Sequence, residues 1–221
     1  MRLTVLALGT FLLACLPLAA NANWADDFEA YAVGSGLNGQ GGWEAWNLDP
    51  AADAYVSDMY AHDGTKSAGI IPTSDIVHQY AGYTTGVWEY VAWIYIPTNF
   101  VGQTYFIMLN TYVPNGTNNW SVQNSFHDGV IEADPGGETL PWILGQWVEI
   151  KLVIDLDTDI QTCYYGGSML YQKSWTEGMS GGGVLNIGAV DLFGNGADTV
   201  YYDTMSLAPE GATAVEPSSW G

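Results

Sequence analysis

Along this chain, apolar and polar residues alternate with a period of two far more often than they recur at helical spacing. No window of 12 residues carries apolar positions at i, i+3, i+4 and i+7 without an intervening Gly or Pro. Four runs of eight residues or more are rich in β-branched and aromatic types and bounded by turn residues: "GVWEYVAWIYIP" (86–97), "QTYFIMLNTYVP" (103–114), "NWSVQNSFHDG" (119–129) and "QWVEIKLVIDL" (146–156). Shorter candidates are "WADDFEAY", "AYVSDM", "SAGII", "DIVHQY", "IQTCYY", "SMLYQKSW", "VLNIGAVDLF" and "TVYYDTMSL". About a dozen strands separated by turns predict an all-β fold, a two-sheet antiparallel sandwich rather than a parallel α/β sheet.

The alternation also predicts facing. Val148, Ile150, Leu152 and Ile154 form a core face, opposite Trp147, Glu149, Lys151, Val153 and Asp155. Trp88, Tyr90, Ala92 and Ile94 point one way, and Glu89, Val91, Trp93 and Tyr95 the other. In the third run, Trp120, Val122, Asn124 and Phe126 oppose Ser121, Gln123, Ser125 and His127. Phe106, Met108, Asn110 and Tyr112 are expected on the open side of their strand.

The first residues change the setting. Arg2, an apolar run and the small-x-small sequence Ala20-Asn21-Ala22 read as an export signal over residues 1–22, too short and wrongly flanked for a membrane anchor. "LLAC" offers Cys15 as a lipid-attachment alternative, with Leu13 an unusual neighbour for such a site. The expectation is a secreted domain over 23–207, with 208–221 a small, polar, Pro-containing tail or linker. Export leaves Lys66, Lys151 and Lys173 as the only basic side chains besides histidine, against 24 acidic residues, which disfavours nucleic acid and anionic surfaces as partners and gives no reason for membrane insertion. Cys163 becomes the single thiol, so no intrachain disulfide can form.

Three motif matches dissolve on their context. Gly34, Gly36 and Gly39 satisfy G-x-G-x-x-G, but "QGGWEAWNLDP" follows where a phosphate-binding helix would begin, so the glycines read as a connection ending where Trp43 packs. Gly178, Ser180 and Gly182 fit G-x-S-x-G ahead of a strand instead of a helix. Asp155, Asp157 and Asp159 begin like an EF-hand, yet Ile160 and Gly166 hold the positions that need Gly and Glu, so a hairpin turn is expected there.

"GQWVEIKLVIDLDTDIQTCYYGGSMLYQKSW", with "DDFEAY" at one end and "VYYDTMSL" at the other, resembles the concanavalin A-like lectin/glucanase and laminin G-like superfamily over about Trp24 to Leu207. The resemblance implies a jelly-roll sandwich with a concave sheet face that takes sugar. It also implies a structural calcium held between the terminal strands, here by Asp27 or Glu29 and Asp203. The Glu-x-Asp-x-x-Glu strand of the superfamily's glucanases is absent: among the three strands able to carry it, Glu89 is the sole acid, and "VIEADP" places only Glu132 and Asp134 before Pro135. A lyase would want a Tyr/His pair with a cation or amide for the uronate, and no Arg remains after export, although His127 is available.

The 10 Trp and 14 Tyr exceed what ordinary strands need. Glu89, Trp93, Tyr95, Asn110, Tyr112, Gln123 and His127, with Trp46 nearby, are expected to share a patch of flat rings and amides suited to a neutral glycan. The competing expectation is that the Trp43 to Trp46 loop covers this face as a second small core. The reading is a non-catalytic polysaccharide-binding module, with an adhesion or self-associating domain, or an atypical glycanase or lyase, as alternatives.

Overall fold

The computed structural model describes residues 24–211. The export signal lies outside them, as does the tail from residue 212 onward. The strands are β1 (Trp24–Asp26), β2 (Trp43–Ala45), β3 (Tyr55–Ser57), β4 (Ser67–Ile70), β5 (Asp75–Gln79), β6 (Val87–Tyr95), β7 (Thr104–Thr111), β8 (Asn119–His127), β9 (Val130–Asp134), β10 (Glu138–Pro141), β11 (Trp147–Asp155), β12 (Ile160–Tyr165), β13 (Ser168–Ser174), β14 (Ala189–Phe193) and β15 (Val200–Pro209). Two single-turn 3-10 segments, Trp46–Leu48 and Pro50–Ala52, are the only helical elements among the described residues.

Two antiparallel sheets pack face to face as a β-sandwich. One runs β13-β12-β11-β6-β15-β4-β3, with β1 also on β15; the other runs β10-β9-β8-β7-β14-β5-β2. The core between them takes Tyr90, Ala92 and Ile94 of β6, Val148 to Ile154 in alternation on β11, and Phe106, Met108, Val122, Phe126, Val190 and Leu192 from the facing sheet. Trp43 and Trp175, the largest side chains in it, are almost completely buried. The predicted facing of β6 and β11 therefore holds residue by residue.

Two other expectations reverse. Phe106 and Met108 look inward, fully buried, because β7 lies in the second sheet and must cover the other side of the same core. A register shift in the β7–β8 pairing sets Leu109 opposite Trp120 immediately after Met108 opposite Val122. That bulge turns Ser121 inward and sends Trp120 to the outer face, which strict alternation cannot anticipate. The short strands β2, β9 and β10 escape periodicity for want of length, and β15 continues to Pro209, two residues beyond the expected domain end at Leu207.

The glycine-rich segment is a loop sewn to β3. Gly34 N–H donates to the Val56 carbonyl, Leu37 N–H to that of Ala54, and Gly39 N–H to that of Trp43, while positive φ at Gly34, Gly39, Gly41 and Gly42 accounts for the residue type. Asp155 accepts from Asp157 and Thr158 and closes the β11–β12 hairpin turn. Cys163 is fully buried, and burial pushes its thiol up to about 12, which leaves it inert.

Since facing on β11 separates core from solvent, Ile150→Ala should cost about 2–5 kcal/mol in urea unfolding, against less than about 1 kcal/mol for Lys151→Ala next to it. Equal losses would contradict the assigned faces.

Candidate functional site

The outer face of the seven-stranded sheet is laid out in cross-strand rows. One reads Glu44, Val77, Asp191, Ile107, Gln123, Asp134 across β2, β5, β14, β7, β8 and β9. The next reads Asp75, Phe193, Tyr105, Ser125, Glu132, and on the other side comes Gln79, Ala189, Leu109, Trp120. Apolar Val77, Ile107, Leu109 and Ala189 are buried although they face away from the main core.

Their cover is aromatic. Trp46 lies 4.8 Å from the Tyr112 ring and 6.1 Å, nearly parallel, from Trp120. The Trp46–Leu48 turn is pinned there: Asn47 N–H donates to Tyr112 Oη at 3.0 Å, and Asn115 donates from its backbone N–H to Asn47 Oδ1 at 2.7 Å. At the opposite end Tyr105 stacks on Phe193 at 5.7 Å. Four residues of β7 separate Tyr105 from Leu109 under the Trp46 group, about 13 Å of extended chain. The small second core is therefore present, with Tyr112 buried in it and Trp46, Trp120, Tyr105 and Phe193 left half-buried at its two ends.

Between the two aromatic ends lies a polar strip. Gln123 Nε2 donates to Asp134 Oδ2 at 3.1 Å, and Gln79 Nε2 donates to Glu44 Oε1 at 2.6 Å. His127 Nε2 is 3.1 Å from Glu132 Oε2. Asp75 and Asp191 are diagonal neighbours with one unpartnered buried oxygen each, and Ser125 Oγ, farther along the Asp75 row beyond Phe193 and Tyr105, is also unpartnered. Burial and then the Asp75 charge hold the Asp191 carboxyl far above the usual carboxylate range; burial raises Asp75 too, opposed by its hydrogen bond with Asp191. Both shifts favour a proton held by the pair.

Of the sequence-predicted patch, Trp46, Tyr112, Gln123 and His127 come together on this face. Asn110 does not: it is fully buried and donates to Asn119 Oδ1 at 2.7 Å and to Ser121 Oγ at 2.9 Å. Glu89, Trp93 and Tyr95 stand on the outer face of the other sheet, because β6 pairs with β11 and β15 and not with β7. There Glu89 Oε2 is 3.7 Å from Lys151 Nζ, Trp93 stacks on His62 at 3.9 Å, and Tyr95 stacks on Tyr60 at 4.1 Å. Periodicity assigned faces within a strand; it could not say which strands share a sheet. Asp75, Asp191, Tyr105, Phe193 and Trp120 were missed. The available signal was an acid alternating with apolar residues in "DIVHQ" and "VDLF".

Of Asp27, Glu29 and Asp203, the carboxylates that the resemblance assigned to calcium, Glu29 and Asp203 act on one loop, residues 58–66. Glu29 Oε1 accepts from Thr65 N–H at 2.7 Å and Lys66 N–H at 2.6 Å, and its other oxygen accepts from Thr65 Oγ1. Asp203 Oδ2 accepts from His62 N–H at 2.6 Å and Asp63 N–H at 3.1 Å, while Oδ1 takes the N–H of Thr204 at a bulge. Asp27 Oδ1 accepts from Glu29 N–H. So arranged, Glu29 and Asp203 direct their oxygens at N–H and O–H donors and Asp27 spends one oxygen on its own turn, and among the described residues no three His, Cys, Asp or Glu side chains cluster. Burial raises Asp203 to about 6, against the lowering effect of those amides.

No protein-family profile matches this sequence, and no curated protein sequence does. Solved structures share its fold. The cellulose induced protein Cip1 superimposes with a TM-score of 0.57 at 16% identity, over 84% of this chain and 96% of its own. The endo-beta-1,4-glucuronan lyase from the fungus Trichoderma reesei gives 0.54 at 13% identity, over 81% and 95%. Alginate lyase Aly36B in complex with alginate tetrasaccharide gives 0.54 at 12%, over 86% and 97%. At these identities the likeness is one of fold, the jelly-roll β-sandwich that the sequence predicts.

Two measurements follow from the carboxylates. A native pKa raised above the unfolded value adds stability at low pH that is lost as pH rises through the native pKa, so Asp191→Asn should gain on the wild type in thermal midpoint from about pH 4 to about pH 8; a constant difference would mean that Asp191 is ionised in the fold. Glu29→Ala, stripping partners from Thr65 and Lys66, should cost about 1–3 kcal/mol, whereas exchanging calcium for EDTA should leave the wild-type midpoint unmoved. A calcium-dependent midpoint abolished by Asp203→Asn would restore the metal.

Proposed function

We propose that this chain is an exported, non-catalytic module that binds an uncharged polysaccharide along the outer face of its seven-stranded sheet. The observation that carries the reading is the bracketing of one polar strip by two half-buried aromatic pairs, Trp46/Trp120, backed by buried Tyr112, and Tyr105/Phe193, on a rigid sheet. Flat rings offer apolar stacking surface to the C–H faces of pyranose rings, and Gln123, Gln79 and Glu44 between them offer hydrogen bonds to hydroxyls. The structural neighbours named above, a cellulose-induced protein and two polysaccharide lyases, support a sugar-related role for this architecture.

Charge argues for a neutral polymer. The face carries Glu44, Asp75, Glu132, Asp134 and Asp191, of which Asp75 and Asp191 share a proton; Lys66 Nζ is held on the Glu29 and Tyr31 carbonyls and Lys151 at Glu89, and the one lysine beside the face, Lys173, has its Nζ on the Asp134 carbonyl. A uronate chain would meet like charge, with a single lysine, already bonded, beside it. Hydrolysis has no better footing: Asp191 is only 3% exposed and is out of reach of a glycosidic bond. The lyase alternative retains His127 beside Glu132 and nearby Tyr105, and is separated by product formation.

Affinity electrophoresis through neutral glucans, xylans and mannans should retard the protein, and alginate and polyglucuronate should not. Trp120→Ala should weaken the neutral interaction by at least about tenfold, about 1.4 kcal/mol, while keeping the unfolding transition. Release of unsaturated or reducing sugar, abolished by His127→Ala, would overturn the non-catalytic reading.

A further inference from the structure

The outer face of the eight-stranded sheet holds a separate construction. Trp93 and Trp147 wall a cleft of about 300 Å3, whose rim is completed by Gln146, Glu149 and the Gly166–Gly167 turn between β12 and β13. That volume is at the small end of small-molecule sites, about 300–1,000 Å3. Glu149 stands directly opposite Trp93 in the β6–β11 register. Among the described residues its carboxylate makes no hydrogen bond or ion pair, and the indole N–H of Trp93 and the Gln146 side chain have no protein partner, so three polar groups at the cleft are free for a ligand. The turn keeps the mouth clear, since a Cβ at Gly167 would have no neighbour within 4 Å.

The 58–66 loop packs against both walls, with His62 stacked on Trp93 and edge-on to Trp147 at 5.8 Å. His62 lies flat on Trp93, 3.9 Å between centroids and 16° between planes, and Trp147 Nε1 donates to the Ala61 carbonyl at 2.8 Å. His62 is fixed in turn by its backbone N–H on Asp203 and by Nδ1 at 3.0 Å from Thr204 Oγ1. Glu29 anchors the far end of the loop through Thr65 and Lys66. Two indoles held in place before any ligand arrives lose little rotamer freedom on binding, which is what a preformed site requires.

We infer that this cleft is a second glycan site, taking one uncharged pyranose ring on the indole surface left open by His62 at Trp93 and Trp147, with hydroxyls on Glu149 and Gln146. A carboxylate whose nearest lysine on the same face, Lys151, is already held by Glu89 disfavours anionic sugars, and the indole walls match the C–H faces of a pyranose. Because the cleft and the face bearing Trp120 lie on opposite sides of the sandwich, one glycan strand cannot lie along both. The chain therefore holds two strands at once and bridges them, with avidity on a polymer surface that neither site has alone. The ligand class is shared with the reading above, but the residues and the sheet are different.

Isothermal titration of the full chain with cellohexaose, xylohexaose and mannohexaose tests the two sites separately. The expected stoichiometry on the preferred sugar is two per chain for the wild type, and one per chain for Trp93→Ala, for Glu149→Ala and for Trp120→Ala. Glu149→Ala removes a side chain that braces nothing, so it keeps the test valid if Trp93→Ala disturbs the loop. Only the wild type should cross-link a soluble polysaccharide of the same sugar into scattering aggregates. One site per chain, lost in Trp120→Ala and intact in Trp93→Ala and Glu149→Ala, overturns the cleft and leaves the sheet face standing. The reverse pattern supports the cleft and overturns the sheet face, and no binding of any hexaose by the wild type overturns both.

Discussion

Everything in this molecule depends on one apolar layer shared by two sheets. A strand that gives Tyr90, Ala92 and Ile94 to that layer must turn Val91, Trp93 and Tyr95 away from it, because successive side chains of extended backbone point to opposite faces. The facing sheet obeys the same rule from the other side. Phe106 and Met108 go inward, and Ile107 and Leu109 go outward, where they need a cover of their own. A sandwich thus always presents two outer faces. In this one, both carry more aromatic surface than solvent exposure favours.

The carboxylates divide by depth, and their roles follow. Near the surface, Glu29 accepts two backbone N–H groups and a hydroxyl, and those bonds outweigh the cost of its partial burial and lower its pKa. Asp203, fully buried, also accepts amides, but desolvation prevails and its pKa rises. Asp191, with a second carboxylate as its neighbour, retains a proton. Chains so rich in acid and poor in base cannot balance buried charge with ion pairs. Backbone amides and proton sharing replace them, and the amides that Glu29 and Asp203 recruit are those of the loop that braces Trp93 and Trp147.

Both outer faces therefore follow one design, with aromatic rings fixed by a pinned turn over a sheet too stiff to rearrange. Trp46 is carried by a turn tied to Tyr112 and Asn115, and His62 by a loop tied to Asp203 and Thr204. Pre-ordering of this kind suits weak, repeated contacts with a polymer, where each ring gains little and conformational cost must stay small.

Strand periodicity alone determined the all-β class, the long strands and the facing of β6 and β11, because period two is a local property of extended backbone and needs no knowledge of partners. It likewise disposed of the glycine, serine and aspartate motifs, whose chemistry requires a helix or a ligand position that the adjoining residues do not provide. Which strands are neighbours was decided only in three dimensions. Glu89, Trp93 and Tyr95 parted from Gln123 and His127 because β6 and β7, consecutive in the chain, belong to different sheets, and no local pattern encodes that crossing. Trp120 changed face through a bulge, and Asp75 met Asp191 across strands more than a hundred residues apart. Glu29 and Asp203 acquired backbone donors from a loop that lies between them in the chain and reaches them only in the folded structure.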